Sequence, residues 1–319
     1  MSMPQTGTGF AHGIRASPRA IQLSASHMDL KTLHDTPPWE WPEGAGKMFL
    51  AILRDPHADA ADRLLAAELA GDFTVINDAL AAALLSILGS TAESEELRAR
   101  AAISLGPAIE QADIDEVDDP DAVPITQKTF RAIKQSLRRI FLDSGVPGLV
   151  RRSILEAAVR APQDWHAAAI RGAWSNHDQE WKRTAVFCMN YVRGFDQQIL
   201  EALESSDPAI HYHAVRAAGT WEVEAAWPHV AALATSDANK PLRLAALEAL
   251  GTICPLLSVE ILANLTDSED EDIAETACEA MSMAAGMLDD ELDDGEFDDD
   301  FDDDEDDEES EGGNHESIH

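Results

Sequence analysis

A chain of 319 residues with 45% hydrophobic side chains, 60 acidic against 23 basic groups and a formal charge of −37 holds enough apolar material for a long core. It is electrostatically ill-suited to nucleic acid, since counterion release gains little for a protein with strongly negative ends. No apolar run approaches the ~20 residues that span a bilayer, the opening MSMPQTGTGFAHGIRASPRA lacks the apolar stretch of a secretory signal, and the expected location is the cytoplasm.

Residues 1–27 are rich in Ser, Ala, Gly and Thr without periodicity, and we expect an unstructured segment over residues 1–35. Met28, where the sequence becomes more regular, is a candidate second start of translation. TPPWEWPEG then places Trp39 and Trp41 between prolines, where they are expected to cover the open end of the array that follows.

From there to residue 288 the chain repeats itself. In Arg243–Gly251, small residues fall at Ala245, Ala246 and Ala249 and long apolar ones at Leu247 and Leu250, with Gly251 at the expected helix stop. With Arg243 as reference and Gly251 as stop, the pattern fits six more segments: Arg63–Gly71, Arg98–Gly106, Arg151–Val159, Lys182–Asn190, His211–Gly219 and Ala274–Ser282. Stops at 71, 106, 159, 190, 219, 251 and 282 recur at a period near 30, which signals a solenoid. Each copy follows another apolar segment ending in a turn, with Asp55, Asn176, Asp207, Asp237 and Asp267 as candidate caps.

This pattern resembles the HEAT-repeat family, and its compact units are similar to the short HEAT-like repeats of phycobilisome lyases. The resemblance implies an all-α fold, an α-solenoid of about seven helix-turn-helix repeats over residues 36–288. It also implies that the second helix of each repeat lines the concave surface.

One interval is long because residues 110–125, EQADIDEVDDPDAVPI, form an acidic insertion. Its carboxylates do not follow EF-hand spacing, so no metal is expected there. The simplest partner for it is the next helix, with Lys128, Arg131, Lys134, Arg138 and Arg139. Cys188, Cys254 and Cys278 are too scattered for a zinc or disulfide framework and read as buried free thiols. The later tryptophans, Trp165, Trp174, Trp181, Trp221 and Trp227, read as packing between layers. His211 and His213 are two apart, on different helix faces, which argues against a joint metal site.

Counted by segment, residues 1–127 carry −12, 128–216 carry +4, 217–288 carry −10 and 289–319 carry −19. The middle of the array is therefore a basic island. Positions three, four and seven after each reference residue must face the core, leaving positions one and five to share the opposite stripe. At the centre of that stripe stand Arg152, Arg183, Phe187, Tyr212 and Arg216, residue types enriched at binding hot spots. The competing expectation is that such arginines, like Arg63, Arg98, Arg151 and Arg243 at the reference position, pair with acids of adjacent repeats.

From Asp289 the composition changes, with 17 carboxylates among residues 289–309 interrupted by Leu292, Gly295, Phe297 and Phe301. Residues 289–319 are expected to form a disordered acidic tail. With Leu292, Phe297 and Phe301 as apolar anchors, it could dock on the protein's own basic repeats or on a basic partner. No catalytic, cofactor or metal motif is evident. The leading expectation is a non-catalytic scaffold that binds a protein partner, with nucleic acid disfavoured and no membrane. The alternatives are a HEAT-like lyase acting on tetrapyrrole-modified proteins and an acidic chaperone for basic proteins.

Overall fold

The structure, a computed structural model, describes residues 29–114 and 124–293. Polar caps divide these residues into helices that pair in chain order. After α1 (Leu30–His34) come seven pairs: α2 (Ala45–Arg54) with α3 (Ala60–Leu69), α4 (Asp78–Gly89) with α5 (Glu95–Ile103), and α7 (Gln127–Leu142) with α8 (Gly148–Ala158). The rest are α9 (His166–Trp174) with α10 (Gln179–Met189), α11 (Asp196–Leu203) with α12 (Pro208–Thr220), α13 (Trp227–Ala234) with α14 (Lys240–Ile253), and α15 (Pro255–Leu265) with α16 (Glu271–Asp293). The extra helix α6 (Gly106–Ile114) occupies the start of the long interval. No strand occurs among the described residues. The fold is the all-α solenoid expected.

Side-chain oxygens start most second helices, each satisfying backbone N–H groups that the first turn leaves free. Asp207 caps α12 as expected. Elsewhere the cap lies two to four residues beyond the expected one: Asp59, Asp178, Asn239 and Asp270 accept from the first turns of α3, α10, α14 and α16. Asp55 and Asn176 instead brace the turn, accepting from the His57 and Asp178 amides at 2.9 Å.

Within the second helices, core positions are filled as the period requires. Ala185, Val186 and Met189, and Ala246, Leu247 and Leu250, are fully buried. Each second helix packs on the next, α3 on α5, α5 on α8, and so on to α16, whereas first helices pack broadly on one another from α2 to α7 and later meet through single side chains, as where Trp227 Nε1 of α13 donates to Ser258 Oγ of α15 at 3.1 Å. Tight spacing on one side and loose spacing on the other curve the array, so the second helices form its inner layer.

The glycines at the stop position serve this layer. A Cβ on Gly219 would lie 2.8 Å from Ala249 Cα, one on Gly251 2.8 Å from the Ala280 carbonyl, and one on Gly71 2.5 Å from the Ser104 carbonyl. Gly219 and Gly251 lie within helices and none of the three has a positive φ. Gly219 and Gly251 are sites of close helix approach and not the helix stops expected from sequence, whereas Gly71, directly after the α3 cap Ala70, is both.

The reference arginines form a second device. Arg63 Nη2 donates to the Leu53 carbonyl at 3.4 Å, Arg98 Nε to Leu88 at 3.0 Å and Arg151 Nε to Phe141 at 2.9 Å. Each acceptor lies ten residues back, next to last in the first helix of the same repeat, where carbonyls lack intrahelical partners. A cation there also complements the helix dipole. Of these arginines only Arg63 also takes an acid from the next repeat, gripping Glu93 through two 2.7 Å bonds. The acid pairing expected of Arg98, Arg151 and Arg243 does not occur among the described residues.

Several expected boundaries shift. Residues 30–34, placed in the unstructured segment, form α1, capped by Asp29 with Leu30 and Leu33 buried. At the N-terminal end Trp41 behaves as a cover, edge-on to Phe49 at 5.5 Å with its Nε1 donating to the Leu33 and Thr36 carbonyls. Trp39 does not, being 78% exposed. The acidic insertion begins as α6, and its Asp113 meets Lys134 at 3.3 Å; residues 115–123 lie outside the described residues. Helix α16 runs to Asp293, taking in the first five residues of the expected tail, and residues 294–319 lie outside the described residues. All three cysteines are free, yet only Cys188 is buried; Cys254 is half-buried and Cys278 exposed. The five later tryptophans are all partly buried against the core.

Candidate functional site

Repeats three to five bring together the second helices α8, α10 and α12, whose outer stripe is only partly covered. Position one of the stripe is committed to ion pairs along one edge. Arg152 lies 3.7 Å from Asp178 and 3.9 Å from Glu180. Arg183 contacts Glu180 at 2.5 Å and Asp207 at 2.7 Å, and this holds the Asp207 carboxyl below the usual carboxylate range. The two arginines thus tie consecutive repeats together, each binding the acids that open the next second helix.

One turn further along, Phe187 is half-buried at the centre of an aromatic cluster. Tyr191 lies 5.5 Å from it and His213 meets its ring edge-on at 5.3 Å, with Tyr212 a further 5.3 Å from His213. The Arg160 guanidinium covers this cluster, 5.8 Å from the Phe187 ring centre and 5.5 Å from that of Tyr191. Stacking and charge both favour the arrangement. On its other side Arg160 pairs with Glu110 of α6, so the extra helix positions the cation over the rings. Beside them, the Glu156 carboxyl accepts from Thr184 Oγ1 at 2.5 Å, and burial pushes its pKa up.

Arg216 is the exposed cation of the group and has no ion pair among the described residues. Burial lowers the His213 pKa and raises that of Tyr191, so both present neutral polar tips near neutral pH. The Cys188 thiol beneath is pushed up strongly by burial, which keeps it un-ionised and unreactive. The result is a neutral aromatic floor with one stacked and one free guanidinium.

Of the residues singled out in the sequence, Phe187, Tyr212 and Arg216 belong to this surface, while Arg152 and Arg183 stand at its edge in ion pairs. Leu292 falls within α16, and Phe297 and Phe301 lie outside the described residues. Sequence reasoning missed Arg160, Tyr191, His213 and the bracing Glu110. Arg160 and Tyr191 stand nine residues after reference positions 151 and 182, so carrying the stripe one more turn would have found them. Among the described residues no group of three His, Cys, Asp or Glu side chains gathers as a metal site, and no helix is long and apolar enough to cross a membrane.

No curated protein matches the chain. Among solved structures, the CpcE–CpcF complex of phycocyanin lyase from Nostoc sp. PCC7120 aligns at 16% identity over 78% of this chain and 98% of that one, with a TM-score of 0.48. Human deoxyhypusine hydroxylase aligns at 17% identity over 81% and 88%, TM-score 0.36. An engineered protein aligns at 17% identity over 65% and 96%, TM-score 0.41. Residues 197–282, spanning α11 to the middle of α16, match the family described as HEAT repeats, within a chain whose described residues form an all-α solenoid.

Proposed function

We propose that the chain is a non-catalytic scaffold that holds a protein partner on the inner face of repeats three to five. The observation that carries this reading is the exposed Arg216 and half-buried Tyr212 beside His213 and the Arg160-covered rings of Phe187 and Tyr191, within the one segment of positive charge. Planar cations and stiff aromatic rings give contact area at small entropic cost, as binding hot spots do. Such a surface suits an acidic segment that carries an aromatic or apolar side chain. Residues 294–319 of this chain have that composition, and their intramolecular docking competes with the partner.

The test compares proteins cross-linked in cells to the full chain, to a version ending at Asp293, and to Arg216→Glu in each background. A stoichiometric partner that is gained or strengthened on shortening, and lost with Arg216→Glu at unchanged helicity, supports the reading. The loss expected for one central hot-spot residue is about 30-fold in affinity. Capture that is indifferent to Arg216→Glu removes this surface as the binding site.

A further inference from the structure

At the reference position of repeat five the usual arginine is replaced by His211, and it points to a different neighbour. Its Nε2 lies 2.9 Å from Nε2 of His229, on α13 of the next repeat, with the rings tip to tip at 5.1 Å between centroids. Both rings are only partly buried, so solvent reaches them. The Glu204 carboxylate lies 3.6 Å from Nδ1 of His229 and favours a proton on that nitrogen, which leaves Nε2 with its lone pair. An acidic partner behind a ligating histidine is the usual arrangement that fixes tautomer and ring orientation.

We infer that His211 and His229 form a two-histidine chelate for a divalent late transition ion of the zinc, nickel and copper class, joining repeats five and six. At a metal–nitrogen distance of about 2.05 Å, two imidazoles on a tetrahedral ion stand about 3.3 Å apart and two cis imidazoles on a tetragonal ion about 2.9 Å. The observed separation requires the ring tips to part by no more than about 0.4 Å and to tilt toward a shared ion. The remaining positions on the ion go to water, and the protein's charge of −37 raises the local concentration of divalent cations.

The full-length protein is titrated calorimetrically with Zn2+ in millimolar Mg2+, which occupies carboxylates and leaves imidazoles free. One equivalent of zinc is expected, lost in both His211→Ala and His229→Ala and retained in His213→Ala. Glu204→Gln should bind about 10-fold more weakly. In parallel, diethyl pyrocarbonate labelling of the unaltered protein, mapped by peptide, should show zinc shielding His211 and His229 together. This second measurement does not depend on how a variant folds. Absence of zinc binding by the unaltered chain, equal stoichiometry in all variants, or labelling of both rings unchanged by zinc would each overturn the inference.

Discussion

Gly71→Ala tests the claim that the stop glycines exist for helix contact. The added Cβ would lie 2.5 Å from the Ser104 carbonyl oxygen and 2.7 Å from Ser104 Cα and Cβ, where ordinary contact begins at 3.4 Å. The ends of α3 and α5 must therefore part by about 0.7–0.9 Å, since the atoms met are backbone or bonded directly to it. Gly71 lies outside α3, so no gain in helix propensity offsets the strain. Overpacking of this kind costs about 2–3 kcal/mol. Gly172→Ala is the counterpart, inside α9 with no heavy atom within 4 Å of the new carbon, and should stabilise by about 0.5–1 kcal/mol. Urea denaturation followed by circular dichroism gives the two signs. Hydrogen exchange should localise the Gly71→Ala loss to repeats one and two, because each repeat is coupled only to its neighbours. Equal stability of Gly71→Ala and the unaltered protein would refute the reasoning, as would damage of the same size from Gly172→Ala.

Arg63→Leu strips the charge from Glu93 and the donor from the Leu53 carbonyl; with the guanidinium almost wholly covered, a loss of about 3 kcal/mol is expected in thermal or urea unfolding. The bond to Arg63 lowers the Glu93 pKa, so the pair's contribution is complete above the ordinary glutamate range and disappears as pH falls through the lowered value. Arg63→Leu should flatten that part of the pH profile. His166 is fully buried, which lowers its pKa from 6.5 to about 4. The unfolded chain therefore takes up a proton that the folded one refuses, and stability should fall by about 3 kcal/mol between pH 6.5 and 4. His166→Phe should remove this slope, and an unchanged profile would show that the imidazole protonates in place. Tyr212→Ala should weaken partner capture along with Arg216→Glu and, because its ring is partly buried against the core, lower the stability by about 1–2 kcal/mol, as judged by pull-down and urea titration together.

The register of the repeats was legible because Ala and Leu positions such as Ala246 and Leu247 must be buried in every copy, and a period survives imperfect copying. Gly219 and Gly251 were misread because a helix stop and a close helix contact select the same residue; only the neighbour, Ala249 or Ala280, separates the two. For the arginines, the acceptor of Arg98 or Arg151 is a backbone carbonyl, which leaves no mark on composition. Phe187 and Arg216 could be placed from helical spacing alone. Arg160 owes its position to Glu110, fifty residues away, and His229 meets His211 across a repeat boundary. Contacts of that kind depend on the angle between successive repeats, which no local pattern encodes.

The unequal packing of the two layers has a mechanical consequence. From α7 onward the outer helices of successive repeats meet through single side chains, as Trp227 of α13 meets Ser258 of α15, while the inner ones remain joined along their backbones through alanine and glycine. Under load such a strip flexes about an axis close to its inner surface, and the outer edge opens or closes like the leaves of a fan. Flexure there changes little of the buried contact, so the curvature of repeats four to seven can adjust more than that of repeats one to three. Repeats one to three, bonded along both edges, act as the fixed jaw.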